Sequence, residues 1–260
     1  MRLLPLFLRR PIEAVYERRL AATLAGLPRP QHVGIMLDGN RRWARQAGHV
    51  DVREGYRAGG AKTTEFLGWC SADGIERVTL FMLSDDNLGR PAEQLGPLIE
   101  IIEETVRDIT AAGRSWEVQV IGSLDMLPGA SARVLKEAAA STAGRGGLKV
   151  DVAVGYGGRW EIVDAVKSAF EEHIAAGGDP AELAERFEIE DISRHLYSPT
   201  ADHTDFIIRT SGEQRLSGFL LWQSAYAEMH WVDCYWPAFR HVDFLRALRS
   251  YANRERRFGK

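Results

Sequence analysis

The sequence predicts an α/β fold: a single domain in which a mostly parallel, six-stranded sheet is flanked by helices. Three observations carry this reading. Short apolar runs of strand length alternate along the chain with longer segments of helical spacing. Gly or Pro closes most of those segments, as tight connections require. No Pro/Ser-rich or charged tract is long enough to divide the 260 residues into two domains. The composition agrees, because 45% apolar and 27% charged residues are the ordinary balance of a folded domain.

Taken in order, Ile12 to Ala25 reads as a helix stopped by Gly26, with Pro28 and Pro30 behind it. His32 to Leu37 is a buried strand, Arg41 to Ala47 a short helix ending at Gly48, and Gly55 to Ala72 a helix closed by Gly74. Arg77 to Leu83 is the second strand. Pro91 opens a helix that reaches Ala112, since its fixed φ suits a first helical position. Trp116 to Ile121 is a strand, Ala130 to Thr142 a helix, and Leu148 to Val154 an alternating strand. Trp160 to Ala176 is helical, Gly177-Gly178 breaks it, and more helix runs to Leu196. Asp205 to Arg209 and Ala227 to Val232 are the fifth and sixth strands, and His241 to Arg257 is the closing helix.

In such sheets ligands sit beyond the C-terminal strand ends. The first strand runs into Asp38-Gly39-Asn40-Arg41-Arg42-Trp43. Asp38 offers the hard oxygen that Mg²⁺ prefers, and the arginines offer forked donors for phosphate; a solvated Asp-Gly turn is the plainer alternative. The second strand runs into Ser84-Asp85-Asp86-Asn87-Leu88-Gly89-Arg90, either a site or a set of helix caps. The fifth ends in Arg209, followed by Arg215, Leu216 and Ser217, a second phosphate cradle or a salt-bridged loop. Glu228 lies in a very apolar run and is expected either to pair with an arginine or to bind metal. His49 is either solvated or near phosphate.

Other functions are excluded. The balance of 33 basic and 36 acidic residues, net −3, argues against nucleic acid as partner. Gly155-Tyr156-Gly157-Gly158-Arg159-Trp160 fails the dinucleotide fingerprint, and no P-loop, HExxH or GxSxG is present. Two distant cysteines, Cys70 and Cys234, build neither a disulfide framework nor a zinc site. The first apolar run, Leu3 to Leu8, is far short of the ~20 residues that span a bilayer, so a cytoplasmic protein is expected. Residues 1–30 carry six arginines against two glutamates. That helix is expected either to pack on its own domain or to touch an anionic membrane surface peripherally, at the inner face of the cell membrane.

Five segments then resemble the cis-prenyltransferase, or undecaprenyl diphosphate synthase, family: HVGIMLDGNRRWA (32–44), SDDNLGRP (84–91), GYGGRWEIV (155–163), IIRTSGEQRLSGFLLWQSAYAE (207–228) and NRERRFG (253–259). The resemblance covers residues 31–259 and is strongest to the short-chain actinobacterial members. It implies an N-terminal helical extension over 1–30, a catalytic domain over 31–260 with a hydrophobic tunnel, a homodimer, and Mg²⁺-dependent condensation of isopentenyl diphosphate with an allylic diphosphate. It implies metal on Asp38 and Glu228, and the allylic diphosphate on Gly39, Asn40, Arg41 and Arg42. Trp43 would wall the chain. Isopentenyl diphosphate would lie on Arg209, Arg215, Leu216 and Ser217. Asn87 would serve at the proton transfer, beside Ser84, Asp85, Asp86 and Arg90. Arg257-Phe258-Gly259 would reach a partner subunit. Tyr56 stands where the family carries histidine, Val52 aligns with an arginine to which Arg53 is one step off, and Leu88 replaces a tryptophan.

Met82 stands where long-chain members carry alanine. Each added isoprene unit gains roughly 4 kcal/mol of burial if it is accommodated, and overpacking of about 1–3 kcal/mol or more cancels that. Met82 and Leu88 therefore predict a short product, (2Z,6E)-farnesyl diphosphate from geranyl diphosphate; the alternative is a decaprenyl- or undecaprenyl-length chain.

Overall fold

The structure is a computed structural model that describes residues 6–201 and 203–254, with side chains from Glu13 onward. The strands are β1 (His32–Met36), β2 (Arg77–Ser84), β3 (Glu117–Ile121), β4 (Lys149–Tyr156), β5 (Phe206–Arg209) and β6 (Glu228–Trp231). The helices are α1 (Leu6–Leu24), α2 (Asn40–Gln46), α3 (Arg53–Ala72), α4 (Asp85–Leu88), α5 (Ala92–Thr110), α6 (Gly129–Ala140), α7 (Gly158–Ala175), α8 (Pro180–Arg186), α9 (Ile189–Ser193) and α10 (His241–Ala252). All six expected strands are present within one or two residues.

Every strand pair is parallel, in the order β3-β4-β2-β1-β5-β6. Consecutive parallel strands need crossovers, so the helices cover both faces. The alternation of side chains splits the core in two. Val33, Ile35, Val78 and Leu80 pack under Phe66 of α3, Val106 of α5 and Phe244 of α10. Met36, Ala153 and Ile207 pack on the other face with Phe219 and Leu220. From β1 the chain leads to β2 on one side, and β5 flanks it on the other, so a crevice opens where these strands end. Register fixes what meets there: Met36 stands beside both Phe81 and Arg209.

The pairing of β2 with β4 is broken twice. Phe81 faces Ala153 and Leu83 faces Val154, so Met82 is an extra residue; the next step, Ser84 opposite Tyr156, leaves Gly155 extra and restores the register. Gly155 takes φ +61°, the left-handed conformation glycine adopts without strain. The glycine motif therefore differs from expectation: its first two residues belong to β4, and Gly158 already opens α7. The segment after β2 also differs. Asp85–Leu88 is one turn of helix, capped where the Asn87 N–H donates to Ser84 Oγ at 3.2 Å.

The N-terminal helix packs on its own domain. Leu20 and Leu24 are buried, Arg240 donates to Glu13 at 2.7 Å, and Arg246 stacks over Tyr16 at 5.2 Å. The side chains of Leu3 to Leu8 and the Arg257-Phe258-Gly259 motif lie outside the described residues. Among the described residues no helix is long and apolar enough to cross a membrane.

At the strand starts, Arg77 and Asp151 form a buried pair. Arg77 Nη1 donates to Asp151 Oδ2 at 2.9 Å and to Ser198 Oγ at 3.1 Å, and Nη2 donates to Thr200 Oγ1 at 2.7 Å.

Candidate active site

Asp38 leaves β1 into a turn that only glycine makes cheaply. Gly39 has φ +104°, and a Cβ there would lie 2.7 Å from the Tyr235 ring. The backbone of the turn is stitched down. The Asp38 N–H donates to Thr210 Oγ1 at 3.0 Å, that hydroxyl donates to the Asp38 carbonyl at 2.8 Å, and the Trp236 N–H donates to the same carbonyl at 3.0 Å.

The Asp38 carboxylate stays partly open, with 36% of the side chain exposed, between two arginines. Arg209 Nη2 donates to Oδ2 at 3.0 Å and Arg42 Nη2 to Oδ1 at 3.3 Å. Burial pushes the carboxyl upward, but the hydrogen bond and charge of Arg209, then Ser211 and Arg42, outweigh it. Asp38 ends below the ordinary carboxylate range and is ionised at neutral pH. Arg209 is itself buried at 4% exposure, holds Ser217 Oγ at 2.9 Å and the Arg215 carbonyl, and leaves Nε without a partner. Arg42 also donates to Ser211 Oγ at 2.8 Å and lies 5.4 Å over the Tyr235 ring.

These groups form one wall of a basin of ≈ 620 Å³ at the crevice predicted by the strand order. Gly39, Asn40, Arg41, Ser84, Asp86, Asn87, Arg90, Arg215 and Ser217 also line it. Six arginines (41, 42, 45, 90, 209 and 215) face two lining carboxylates, Asp38 and Asp86, and Glu213 pairs with Arg42 and Arg215 from outside the lining. The surplus is felt at Arg90, whose proton affinity is lowered first by burial and next by the Arg41 charge. So concentrated a positive field suits more than one anionic group. Two hollows of ≈ 510 and ≈ 520 Å³ at the other end of the strands share Arg77, Lys149 and Thr200. Arg77 is already committed to Asp151, so they offer no comparable anion cradle.

The basin passes into a small apolar neck. Leu37, Asn40, Tyr56, Met82 and Leu98 line both, and Ile101, Ile102, Thr105 and Trp236 close the neck's far end. Its volume is ≈ 40 Å³. A cavity that takes one benzene is about 150 Å³, so side chains must move before even one five-carbon unit enters fully.

The donor set suits a divalent metal only with ligands from outside the protein. Among the described residues no group of three or more His, Cys, Asp or Glu is placed to hold a metal. Magnesium commonly uses one or two protein carboxylates together with substrate phosphates and water. An ionised, partly open Asp38 in an arginine-rich basin fits an ion that arrives with a diphosphate, and fits no all-protein cage.

Most sequence-predicted residues meet in the basin, but five do not. Glu228 opens β6 opposite Phe206, three residues before the Trp231 that faces Arg209. Parallel pairing thus holds it about 10 Å back along the strands, where it pairs with Arg254. Within one chain Glu228 does not reach Asp38 and pairs with Arg254. Trp43 stacks on His49 at 5.5 Å and does not line the basin, because Arg41, Arg42 and Arg45 occupy that face of α2. Leu88 is turned by α4 into the core against Gly155, so it is not part of the neck wall. Asp85 lies against Gly157 and accepts from the Asp86 N–H at 2.8 Å. Leu216 packs against the Phe219 cluster.

Sequence reading missed Arg45, Leu98 and Tyr235, and noted Tyr56 only as standing where the family carries histidine. Only Arg45 carried a local signal, since it lies one helical turn beyond Arg41.

Comparisons with known proteins agree with this geometry. The family model "Putative undecaprenyl diphosphate synthase" matches residues 35–259. Isoprenyl transferase 2 of Streptomyces coelicolor is 64% identical over 253 residues, covering 97% of this chain and 98% of the relative. The (2Z,6E)-farnesyl diphosphate synthase of Thermobifida fusca is 55% identical over 252 residues, covering 97% and 98%. Among solved structures, lavandulyl diphosphate synthase from Lavandula x intermedia, in complex with dimethylallyl diphosphate, superposes with a TM-score of 0.82 at 30% identity, covering 89% of this chain and 98% of that one.

Proposed function

The chain belongs to the undecaprenyl diphosphate synthase family of cis-prenyltransferases, and from that premise we propose that it condenses isopentenyl diphosphate with geranyl diphosphate to give (2Z,6E)-farnesyl diphosphate. One observation supports the reading above the others: an arginine-rich basin around Asp38 opens directly into an apolar neck of ≈ 40 Å³ walled by Met82. Charged heads belong in the first and a short hydrocarbon tail in the second.

In this reading Arg41, Arg42 and the Gly39–Asn40 turn bind the allylic diphosphate, and Arg209, Arg215 and Ser217 bind isopentenyl diphosphate. Asp38 is the residue that would hold Mg²⁺, which when bound supplies charge neutralisation at the leaving diphosphate. The allylic C–O bond breaks and pyrophosphate leaves. The isopentenyl double bond supplies the electron pair for the new C–C bond, and a proton is then lost beside it. Asn87 lies in the basin but is no base, so a diphosphate oxygen takes that proton and Asn87 orients the group. The basin's arginines stabilise the leaving charge without reorganising, which is where electrostatic catalysis is strongest.

We also read the chain as a cytoplasmic homodimer, with residues 1–30 as a candidate for peripheral membrane contact; light scattering and vesicle co-sedimentation test these two points. The activity is tested by incubation with labelled isopentenyl diphosphate and dimethylallyl, geranyl or farnesyl primers, followed by chromatography of the dephosphorylated products. A fifteen-carbon cis product from the geranyl primer is expected, and chains of fifty or more carbons would refute the short-chain reading. Asp38→Ala should lower turnover by orders of magnitude with an unchanged circular dichroism spectrum; retained turnover removes Asp38 from the mechanism.

A further inference from the structure

Two loops meet around Arg42, and one short segment after β6 holds both. The Ser211 N–H donates to the Cys234 carbonyl at 2.7 Å and the Gly212 N–H to the Val232 carbonyl at 2.9 Å, while the Trp236 N–H donates to the Asp38 carbonyl at 3.0 Å. Ser211 is kept at φ +80°, a conformation that a non-glycine residue holds only when its surroundings fix it. Tyr235 stands within that segment. Its ring fills the space beside Gly39, where a Cβ would meet it at 2.7 Å, and lies 5.4 Å from the Arg42 guanidinium, which sits over its face. Tyr235 does not itself line the basin.

Arg42 needs such a support. Its side chain is 41% exposed. Of its hydrogen bonds only the one to Ser211, at 2.8 Å, is short; those to Asp38 and Glu213 are 3.3 and 3.4 Å. Bonds that long hold a side chain with several free torsions weakly against its rotamer entropy. Both hydrogens of Nη2 are spent on Asp38 and Ser211, and one of Nη1 on Glu213. The Nε hydrogen and the second Nη1 hydrogen have no protein acceptor among the described residues, and these are the donors left for a phosphate oxygen. Where they point depends on the plane of the guanidinium. An aromatic face sets that plane, because the planar cation stacks on it.

We propose that Tyr235 is a positioning residue: its ring face fixes the plane of the Arg42 guanidinium and so aims the two unspent N–H donors at the allylic diphosphate. The inference rests on the diphosphate reading of the basin. It goes beyond that reading by giving a part in the binding of one substrate to a side chain outside the basin wall.

Tyr235→Leu removes the aromatic face and Tyr235→Phe keeps it. A cation–π contact on a partly exposed arginine corresponds to about a two- to fivefold change in affinity. Calorimetric titration of the full-length protein with geranyl diphosphate in metal-free buffer should show that loss for the leucine variant and the parent affinity for the phenylalanine variant. In turnover, Tyr235→Leu should raise KM for geranyl diphosphate by the same factor and leave KM for isopentenyl diphosphate unchanged. In an Arg42→Ala background Tyr235→Leu should have no further effect on the titration, because a residue that acts only through Arg42 then has nothing to position. Tyr235→Met, which also lacks a ring, serves if the leucine variant does not fold. A leucine variant that binds like the parent, a phenylalanine variant as weak as the leucine one, equal losses for both substrates, or an undiminished effect in the Arg42→Ala background each overturn the assignment of Tyr235. Failure of the parent protein to bind any diphosphate overturns the underlying reading instead.

Discussion

Replacing Met82 by alanine tests the structural account of product length. The substitution removes three heavy atoms from the wall shared by the basin and the neck, where the available volume is ≈ 40 Å³. A further five-carbon unit gains at most roughly 4 kcal/mol if fully buried. Leu98, Ile101, Ile102 and Trp236 still close the neck beyond Met82. If half of the burial is realised, the gain is roughly 2 kcal/mol, or about thirtyfold in the ratio of the longer product to the shorter. The expected result is a shift by one or two isoprene units and not a jump to long chains. Met82 is only partly buried, so the stability cost should fall near the low end of the core range, about 2 kcal/mol. The assay is product chromatography after incubation with labelled isopentenyl diphosphate, alongside a urea titration. An unchanged product distribution from a folded variant refutes the steric argument, because the wall would then lie elsewhere.

Further outcomes follow from other parts of the structure. Arg77→Met leaves Asp151 buried and uncompensated, with 1% of its side chain exposed; urea unfolding should show a loss of about 3–5 kcal/mol, and Arg77→Met with Asp151→Leu should recover most of it. Gly39→Ala forces a side chain into φ +104° and against the Tyr235 ring at 2.7 Å; the conformational strain alone is about 1–2 kcal/mol, and pyrophosphate binding should weaken as Arg42 loses its platform on Tyr235. Asp38 carries a pKa below its ordinary 3.8. Its contribution to stability is therefore present above that value and lost as pH falls through the lowered one. A pH–rate profile should then show no limb from Asp38 at any pH above about 4, and Asp38→Asn should flatten the acid end of the stability profile.

The elements were legible because their signals are local. The runs around His32–Met36 and Phe206–Arg209 are mostly apolar, short and bounded, so strand type could be read directly and the ends to within one residue. The rule that ligands gather at strand C-termini brings Asp38, Asn87 and Arg209 together from the sequence alone. What was not legible depended on non-local facts. The pairing of β6 with β5, and hence the distance of Glu228 from Asp38, is a matter of register. The inward turn of Leu88 depends on a one-turn helix that the four polar residues before it disguised. Leu98 and Tyr56 meet only where α3, α5 and the strand ends build the neck, so the place of Tyr56 between basin and neck is not written in its neighbours in sequence.

The paired breaks in register between β2 and β4 separate two properties that would otherwise be tied. Because Met82 is the surplus residue on one strand and Gly155 the surplus on the other, the ladder is back in step at Ser84, before the reactive loop begins. A different side chain at position 82 is therefore expected to leave the pairing of Ser84 with Tyr156 in place. On the proposed reading, exchanges at position 82 would alter product length while leaving the ladder at Ser84 in place.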